Sequence, residues 1–378
     1  MRVMFTGWAR RGLVIAIALI LALTATTVVV KAQADIRAQW AKSGHANRVL
    51  ARDEASVETR GATAAHCGRC HAEQGFLAWL PQLNAGNPGP IVMPGGAPAD
   101  IRFLTNLGLT KFSVRPVTCN TCHTADFKIR VTRSTAVLPS GFRAIGVGEG
   151  AQCMTCHNTR NGAITWNTDD PKRWSAPHTA AQADVIMGKN AFFVQPSDAN
   201  ISPHATFIGD SCVTCHVRFN KESHTFKASK DVCTRCHGAD MTAPRVQEGI
   251  ETLLHEVEQA IAGKVLAARA RIAGIRAWDP QTDKYTDNFR VNMAQVASVN
   301  LAEIHGQIGL QFNLVTGAKW YSQIGSVVDT AGKPVFPTGD VVVRAGWNYF
   351  LIEGDDSFGV HNPKFARTVL LATLDALK

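Results

Sequence analysis

All ten cysteines of this 378-residue chain lie in five Cys-x-x-Cys-His motifs, a pattern that restricts the fold more than any other feature. The cysteine pairs are Cys67 and Cys70, Cys119 and Cys122, Cys153 and Cys156, Cys212 and Cys215, and Cys233 and Cys236. The histidines that follow them are His71, His123, His157, His216 and His237. The motif is typical of c-type haem, in which two thiols bind the porphyrin vinyl groups and the histidine lies under the iron. The sequence therefore predicts five covalently bound haems.

Two other uses of paired cysteines are less consistent with this pattern. Zinc sites also favour Cys-x-x-Cys spacing, but they do not require a histidine directly after the second cysteine. A disulfide framework is compatible with an exported chain, but it leaves the five adjacent histidines unexplained. Haem is therefore favoured over both.

The N-terminus has the features of a targeting segment. Arg10 and Arg11 precede an uncharged apolar run over residues 12–30, and Ala32-Gln33-Ala34 offers a small-x-small cleavage site. The apolar run is also close to the roughly 20 residues that span a bilayer. Residues 1–34 are therefore predicted to be either a signal peptide or a membrane anchor. Both alternatives place the rest of the chain in the periplasm or on the extracytoplasmic side of the inner membrane.

The formal net charge of +9 does not indicate nucleic-acid binding. Residues 1–34 contain four basic residues and no acid, which leaves 9 − 4 = +5 for the remainder. Each ferric bis-histidine haem adds about −1 through its propionates, so the assembled protein would be near neutral.

The chain changes in character after His237. Residues 35–240, which hold all five motifs, are predicted to form a loop-rich multihaem cytochrome c domain with porphyrins supplying much of its apolar core. Residues 241–378 are predicted to form a helical domain. Its expected helices are a long one from Pro244 with apolar residues as far as Ile275, one over Asn292–Val315, a short one around Trp347, and a last one capped by Asn362. The predicted fold class is mainly α, with no strand.

Five haems with two axial ligands each need five further histidines, and eight lie outside the motifs. They are His45, His66, His178, His204, His224, His255, His305 and His361. A lone histidine is more often a surface or packing residue than a ligand. Residue type alone therefore does not select among them.

Several segments around these histidines resemble those of multihaem cytochromes c, a group that includes pentahaem nitrite reductases and their octahaem relatives. The segments are residues 40–46, the first motif with the residues to Gly75, Ala176–His178 with Gln182–Asp184 and Gly188, Ser202–His204, Ser223–Phe226 and Asp356–Pro363. The resemblance implies that His45, His178, His204, His224 and His361 are the distal ligands. His66, which adjoins Cys67, is the main substitute. Methionine ligation by Met93, Met154, Met187 or Met241 is less favoured than ordinary packing.

A haem with two histidine ligands has no vacant position for a substrate, so the sequence predicts an electron carrier between redox partner proteins. No catalytic residue is assigned. One alternative is a reductase or oxidase of a small nitrogen or sulfur compound, as in the enzymes it resembles. The nitrite reductases of this group commonly have a lysine in place of the motif histidine at the catalytic haem, and a tyrosine over the substrate in the haem region. Here every motif ends in histidine, and the only tyrosines, Tyr285, Tyr321 and Tyr349, follow the last motif. A subunit of a haem filament is a third reading, and the donor, the acceptor and the oligomeric state stay open.

Overall fold

The computed structural model describes residues 14–18, 34–161, 174–219, 221, 223–229 and 231–378. Most of the predicted signal peptide or anchor lies outside these residues. Among those described, no helix has the length and apolar character that crossing a bilayer demands.

The N-terminal part, residues 34–240, is built from short helices joined by turns. A helix over residues 34–41 comes first. The α-helices after it are Arg48–Ala55, Val57–Arg60, Ala64–His71, Glu73–Asn84, Ile101–Asn106, Cys119–Cys122, Gly150–Cys156, Gln182–Ile186, Pro203–Thr206 and Thr234–His237. Single 3-10 turns cover Gly44–Ala46, Gly61–Thr63, Asp198–Asn200 and Ser223–Thr225, and a π-helical turn covers Thr214–Arg218.

The C-terminal part, residues 241–378, combines three helices with an antiparallel sheet. We call Ala243–Ala267 the long helix, Val341–Glu353 the Trp347 helix and Pro363–Ala376 the C-terminal helix. The strands are β1 (Gly274–Asp279), β2 (Lys284–Arg290), β3 (Val296–Ile304), β4 (Gln307–Leu314), β5 (Lys319–Gln323) and β6 (Val327–Val328). Short 3-10 turns cover Arg269–Arg271, Met293–Gln295 and Ile324–Ser326. The sheet order is β2-β1-β5-β4-β3, with β6 pairing β1.

The predicted fold class was wrong in the C-terminal part, where six strands replace an all-helical domain. The helix expected over Asn292–Val315 is the β3–β4 hairpin, which turns at His305 and Gly306. Both residues have positive φ, 52° and 74°, as a two-residue type I′ turn requires. The alternation of buried Ile308, Leu310, Phe312 and Leu314 along β4 is the strand period that a helical interpretation of the segment overlooked.

The other three predicted helices of the C-terminal part are present in the structure. The long helix forms, but it ends at Ala267, and Ile275 belongs to β1 instead. The Trp347 helix and the C-terminal helix are both confirmed. Asn362 caps the latter by accepting a hydrogen bond from the Phe365 backbone N–H.

The expectation of a loop-rich N-terminal part was also wrong, because helical turns recur throughout it. Their positions follow the motifs, as four of the five cysteine pairs lie in or at the start of a named α-helix. The short lengths have a physical reason. An isolated helix of fewer than about 12 residues is marginal in water, so these turns depend on what they pack against.

Two apolar clusters form the cores. The larger one unites the sheet, the three C-terminal helices and a few residues from the N-terminal part, including Ala176, Ala181 and Val185. The smaller one lies wholly within the N-terminal part and centres on Phe76, Trp79 and Leu104.

Two close contacts hold the chain around His178 against the C-terminal part. Ala176 donates its N–H to the carbonyl of Gly306 at 3.0 Å. A Cβ at Gly354 would lie 3.3 Å from Thr179 Cα, so glycine permits this approach.

Candidate functional site: five histidine pairs

Each Cys-x-x-Cys-His motif adopts a helical turn, which brings its two cysteines to the same side of the chain. In the first motif the Ala64–His71 helix carries both cysteines and the histidine. In the second, Thr118 caps the Cys119–Cys122 turn through a capping box. Residues three apart on a helix share one face, so this conformation presents both thiols on the same side.

Four of the motif histidines lie opposite one of the predicted distal histidines. The ring centroids of His71 and His178 are 5.9 Å apart, and those of His157 and His45 are 6.0 Å apart. For the two later motifs the separations are 6.2 Å between His216 and His361 and 5.8 Å between His237 and His204. No histidine occurs in two of these pairs.

The fifth motif histidine, His123, is near the one predicted distal histidine that remains. Burial lowers the pKa of His224, and the proximity of His123 is the second cause. We number the sites by motif: site 1 is His71 and His178, site 2 is His123 and His224, site 3 is His157 and His45, site 4 is His216 and His361, and site 5 is His237 and His204.

The spacing of the pairs fits a metal ion held between two imidazoles. Nitrogen ligands bind such ions at about 2 Å, so two imidazoles on opposite sides of one ion have ring centroids roughly 6 Å apart. The four separations, 5.8 to 6.2 Å, are close to that distance. Haem iron takes its axial ligands from opposite faces of the porphyrin, and these residues therefore fit that group.

Hydrogen bonds at Nδ1 orient several of these rings and leave Nε2 free. His123 Nδ1 is 3.0 Å from the Phe127 carbonyl, and His216 Nδ1 is 2.7 Å from the Phe226 carbonyl. Since a carbonyl can only accept, Nδ1 carries the proton in both rings. Such outer contacts fix the tautomer and the ring orientation of metal-binding histidines.

Three further Nδ1 contacts come from side chains. His157 is 3.1 Å from Gln182 Oε1, His224 is 3.0 Å from Ser223 Oγ, and His361 is 2.6 Å from Asp355 Oδ1. His178 differs, because its buried Nδ1 has no hydrogen-bond partner among the described residues.

Burial favours the neutral imidazole that a metal requires. It lowers the pKa of His45 to about 4, with a smaller contribution from His157. It lowers the pKa of His178 to about 3, helped by the nearby charge of Arg160. His361 is the exception: burial acts in the same direction, but the charge and hydrogen bond of Asp355 raise its pKa overall.

The ten thiols are all free, and they do not form five separate pairs as predicted. Instead, thiols of different motifs lie close together: Cys156 is the largest cause that lowers the pKa of Cys70, and Cys212 is the largest cause that raises the pKa of Cys153. Site 3 therefore adjoins site 1 through one cysteine and site 4 through the other. The physical reason is the tertiary fold, which brings the first, third and fourth motifs together around site 3.

Two further contacts connect site 5 to site 4 and site 2 to site 3. Site 5 adjoins site 4, because Cys233 and Cys236 lie close enough to Cys215 to add to the effect of burial, which raises its pKa. Site 2 adjoins site 3 through Phe226, whose ring centroid lies 4.7 Å from that of His45 and 5.7 Å from that of His224. The contacts give the order 5–4–3–1, with site 2 joined at site 3.

The other histidines take no part in a pair. His255 is exposed on the long helix, and His305 lies in the β3–β4 turn next to Tyr285 rather than in a helix. His66 is half-buried, and burial and Arg69 lower its pKa to about 4. Among the described residues, no cluster of three or more His, Cys, Asp or Glu side chains is arranged to hold a metal ion.

Two residues around the pairs were not singled out from the sequence. Gln39 Oε1 accepts the His224 N–H at 3.1 Å and so ties the helix over residues 34–41 to site 2. Asp355 contacts His361 from six positions upstream. The only sequence signal for it was a carboxylate in the loop before a candidate ligand.

Comparison with known proteins gives one structural match. No protein-family model matches the chain, and neither does any curated protein. Among solved structures, the crystal structure of the outer cell wall cytochrome OcwA matches with a TM-score of 0.45 and 18% sequence identity. The match covers 90% of this chain and 50% of that one, so this chain spans about half of its length.

Proposed function

We propose that this chain is an exported electron carrier whose five histidine pairs hold five covalently attached c-type haems. The observation that carries the proposal is the one-to-one pairing of motif and distal histidines, at centroid separations of 5.8 to 6.2 Å in four sites. Ordinary packing of buried histidines gives no reason for every such pair to contain one residue of each kind.

The residues have separate roles in this proposal. The ten motif cysteines would hold the haems through thioether links, and the ten paired histidines would bind their irons, two at each site. Haem held in this way supplies one-electron exchange between ferric and ferrous iron, with no open position for a substrate. The order 5–4–3–1 supports a continuous route for electrons, with a branch to site 2.

Exposure suggests where partner proteins would exchange electrons. Cys236 and His237 are exposed at site 5, and Cys119 is exposed at site 2, whereas Cys67 at site 1 is buried. We infer that sites 5 and 2 face redox partners. The apolar N-terminal run and the attachment of c-type haem outside the cytoplasm support an extracytoplasmic location.

Haem content and spin state test the proposal. The mature protein should retain five haems through denaturation and acid–acetone extraction, and its oxidised form should give only low-spin signals in electron paramagnetic resonance. His45→Ala should convert one haem of five to high-spin, and His66→Ala should convert none. Free thiols that react in the unfolded chain, or bound zinc, would contradict the proposal.

One observation favours the alternative of a reductase or oxidase with an open haem. At site 1, His178 Nδ1 and the nearby Arg160 Nε are both buried without hydrogen-bond partners among the described residues. His178 is therefore the distal ligand with the least support for its orientation. A high-spin signal in the unmodified protein that His178→Ala leaves unchanged would favour the enzyme over the carrier.

A further inference from the structure

Asp355 is a buried carboxylate held against one ligand of site 4. Its side chain is 1% exposed, and Oδ1 lies 2.6 Å from His361 Nδ1. The Ser357 hydroxyl donates to Oδ2, while Ser357 Oγ accepts the His361 N–H at 3.2 Å. The Asp355 carbonyl in turn accepts a hydrogen bond from Gln182 Nε2 at 3.0 Å. Backbone and side chain are therefore both fixed, and the carboxylate has no freedom to turn away from His361.

The other Nδ1 contacts described for paired histidines are to neutral groups. His123 and His216 face backbone carbonyls, His157 faces the amide oxygen of Gln182, and His224 faces the Ser223 hydroxyl. Among these five contacts, only the one at His361 places a full negative charge beside a ligand.

A carboxylate acts on a metal-bound imidazole in two ways. A hydrogen bond to an ionised acceptor is about twice as strong as a neutral one, and it makes the imidazole a more basic, more electron-donating ligand. A buried negative charge also favours the oxidised metal, because water screens it poorly. Both effects lower the reduction potential, which in haem proteins follows the axial ligands and their hydrogen bonds.

We propose that Asp355 is a positioning residue that gives site 4 the lowest reduction potential of the five sites. The inference rests on the proposed function. Site 4 lies between site 5 and site 3, so an electron that leaves site 5, oxidising it, must reduce site 4 before it reaches site 3. The low reduction potential of site 4 is therefore an energetic barrier to the transfer of an electron between site 5 and sites 1, 2 and 3.

The test is a potentiometric titration of the intact haem-loaded protein, followed by electron paramagnetic resonance. The signal of site 4 is identified as the low-spin signal that His361→Ala removes. In the unmodified protein this signal should be the last to disappear on reduction. Asp355→Asn keeps the size and an acceptor oxygen but removes the charge, and it should shift the equilibrium at site 4 at least tenfold toward ferrous iron, which is 59 mV for one electron.

Asp356→Asn is the matched control, because it removes a neighbouring exposed charge and leaves the contact with His361 intact. It should move site 4 by less than half as much. Ser357→Ala removes the proton donated to Asp355, which leaves more of the carboxylate charge for His361, so it should shift site 4 in the opposite direction.

The outcomes separate the two proposals. Fewer than five haems, or high-spin iron at site 4 in the unmodified protein, would overturn the proposed function. Five low-spin haems with site 4 not the last to be reduced would overturn only the role of Asp355. An equal effect of Asp355→Asn and Asp356→Asn would do the same. If Asp355→Asn does not assemble, the titration of the unmodified protein and the sign of the Ser357→Ala shift still decide the matter.

Discussion

The two parts of the molecule differ in the size of their apolar cores and in the length of their helices and strands. The C-terminal part has a 25-residue helix and a six-stranded sheet, and it encloses large buried side chains such as Phe312 and Trp347. The longest α-helix named in the N-terminal part is Glu73–Asn84, and its apolar cluster is smaller. The difference shows that the C-terminal part has the larger apolar core, whereas the N-terminal part, if haem is attached as proposed, would depend more on its cofactors for stability.

Removing the haems gives the largest expected effect. If five haems are attached as proposed, then in a host that cannot attach c-type haem residues 35–240 should lose stable structure, because the short helices would lack the groups they pack against. The strands of the C-terminal part should keep protected backbone amides. Hydrogen exchange followed by mass spectrometry measures both in one sample. Equal protection in the two parts would remove the contrast drawn above.

A core truncation in the sheet tests the independence of the C-terminal part. Phe312 is fully buried on β4, so Phe312→Ala should lower the free energy of unfolding by about 3–5 kcal/mol. Haem content and the low-spin signals should stay unchanged. Val315→Ala, at a residue 68% exposed just beyond β4, should cost less than about 0.5 kcal/mol. Denaturant unfolding gives the values, and haem loss in the Phe312 variant would show that the parts are not independent.

Removing His361, the proposed ligand from the C-terminal part, should give a smaller, local effect. His361→Ala should convert one of five low-spin haems to high-spin and open it to carbon monoxide, because site 4 loses its distal imidazole. His255→Ala, on the exposed side of the long helix, should change no signal. A fully low-spin His361 variant would show that the C-terminal part donates no ligand.

The smallest effects concern two glycines and have opposite signs. Gly306 has φ of 74° in the β3–β4 turn with open space at its Cβ position, so Gly306→Ala should destabilise by about 1 kcal/mol through conformation alone. Gly249 lies in the long helix, also with open space, and Gly249→Ala should stabilise by about 0.5–1 kcal/mol. Melting temperatures of both variants decide this, and shifts of the same sign would contradict it.

How far the sequence predicts this molecule depends on the kind of signal. The Asn362 cap and the apolar stripe of the long helix are local patterns, and both predicted helices form. The β3–β4 hairpin was not predicted, because the segments on both sides of it were predicted to be helical and the alternation along β4 was overlooked. Its turn is also His-Gly rather than the common Asn-Gly. The five distal histidines came from resemblance, and their ligand role stays a prediction. Asp355 escaped notice because its contact with His361 depends on how the loop before Asn362 folds.

The separation of His216 from His361 along the chain has a consequence for biosynthesis. Site 3 has both histidines available once Cys153 and Cys156 emerge, because His45 precedes them. Site 4 must wait for 361 − 216 = 145 further residues. At synthesis rates of about 5–20 residues per second, that delay is on the order of ten to thirty seconds. If haem is attached to Cys212 and Cys215 as proposed, His361 would be missing as its second histidine during this interval. The nascent chain would then need either a temporary ligand or a chaperone at that site until His361 arrives.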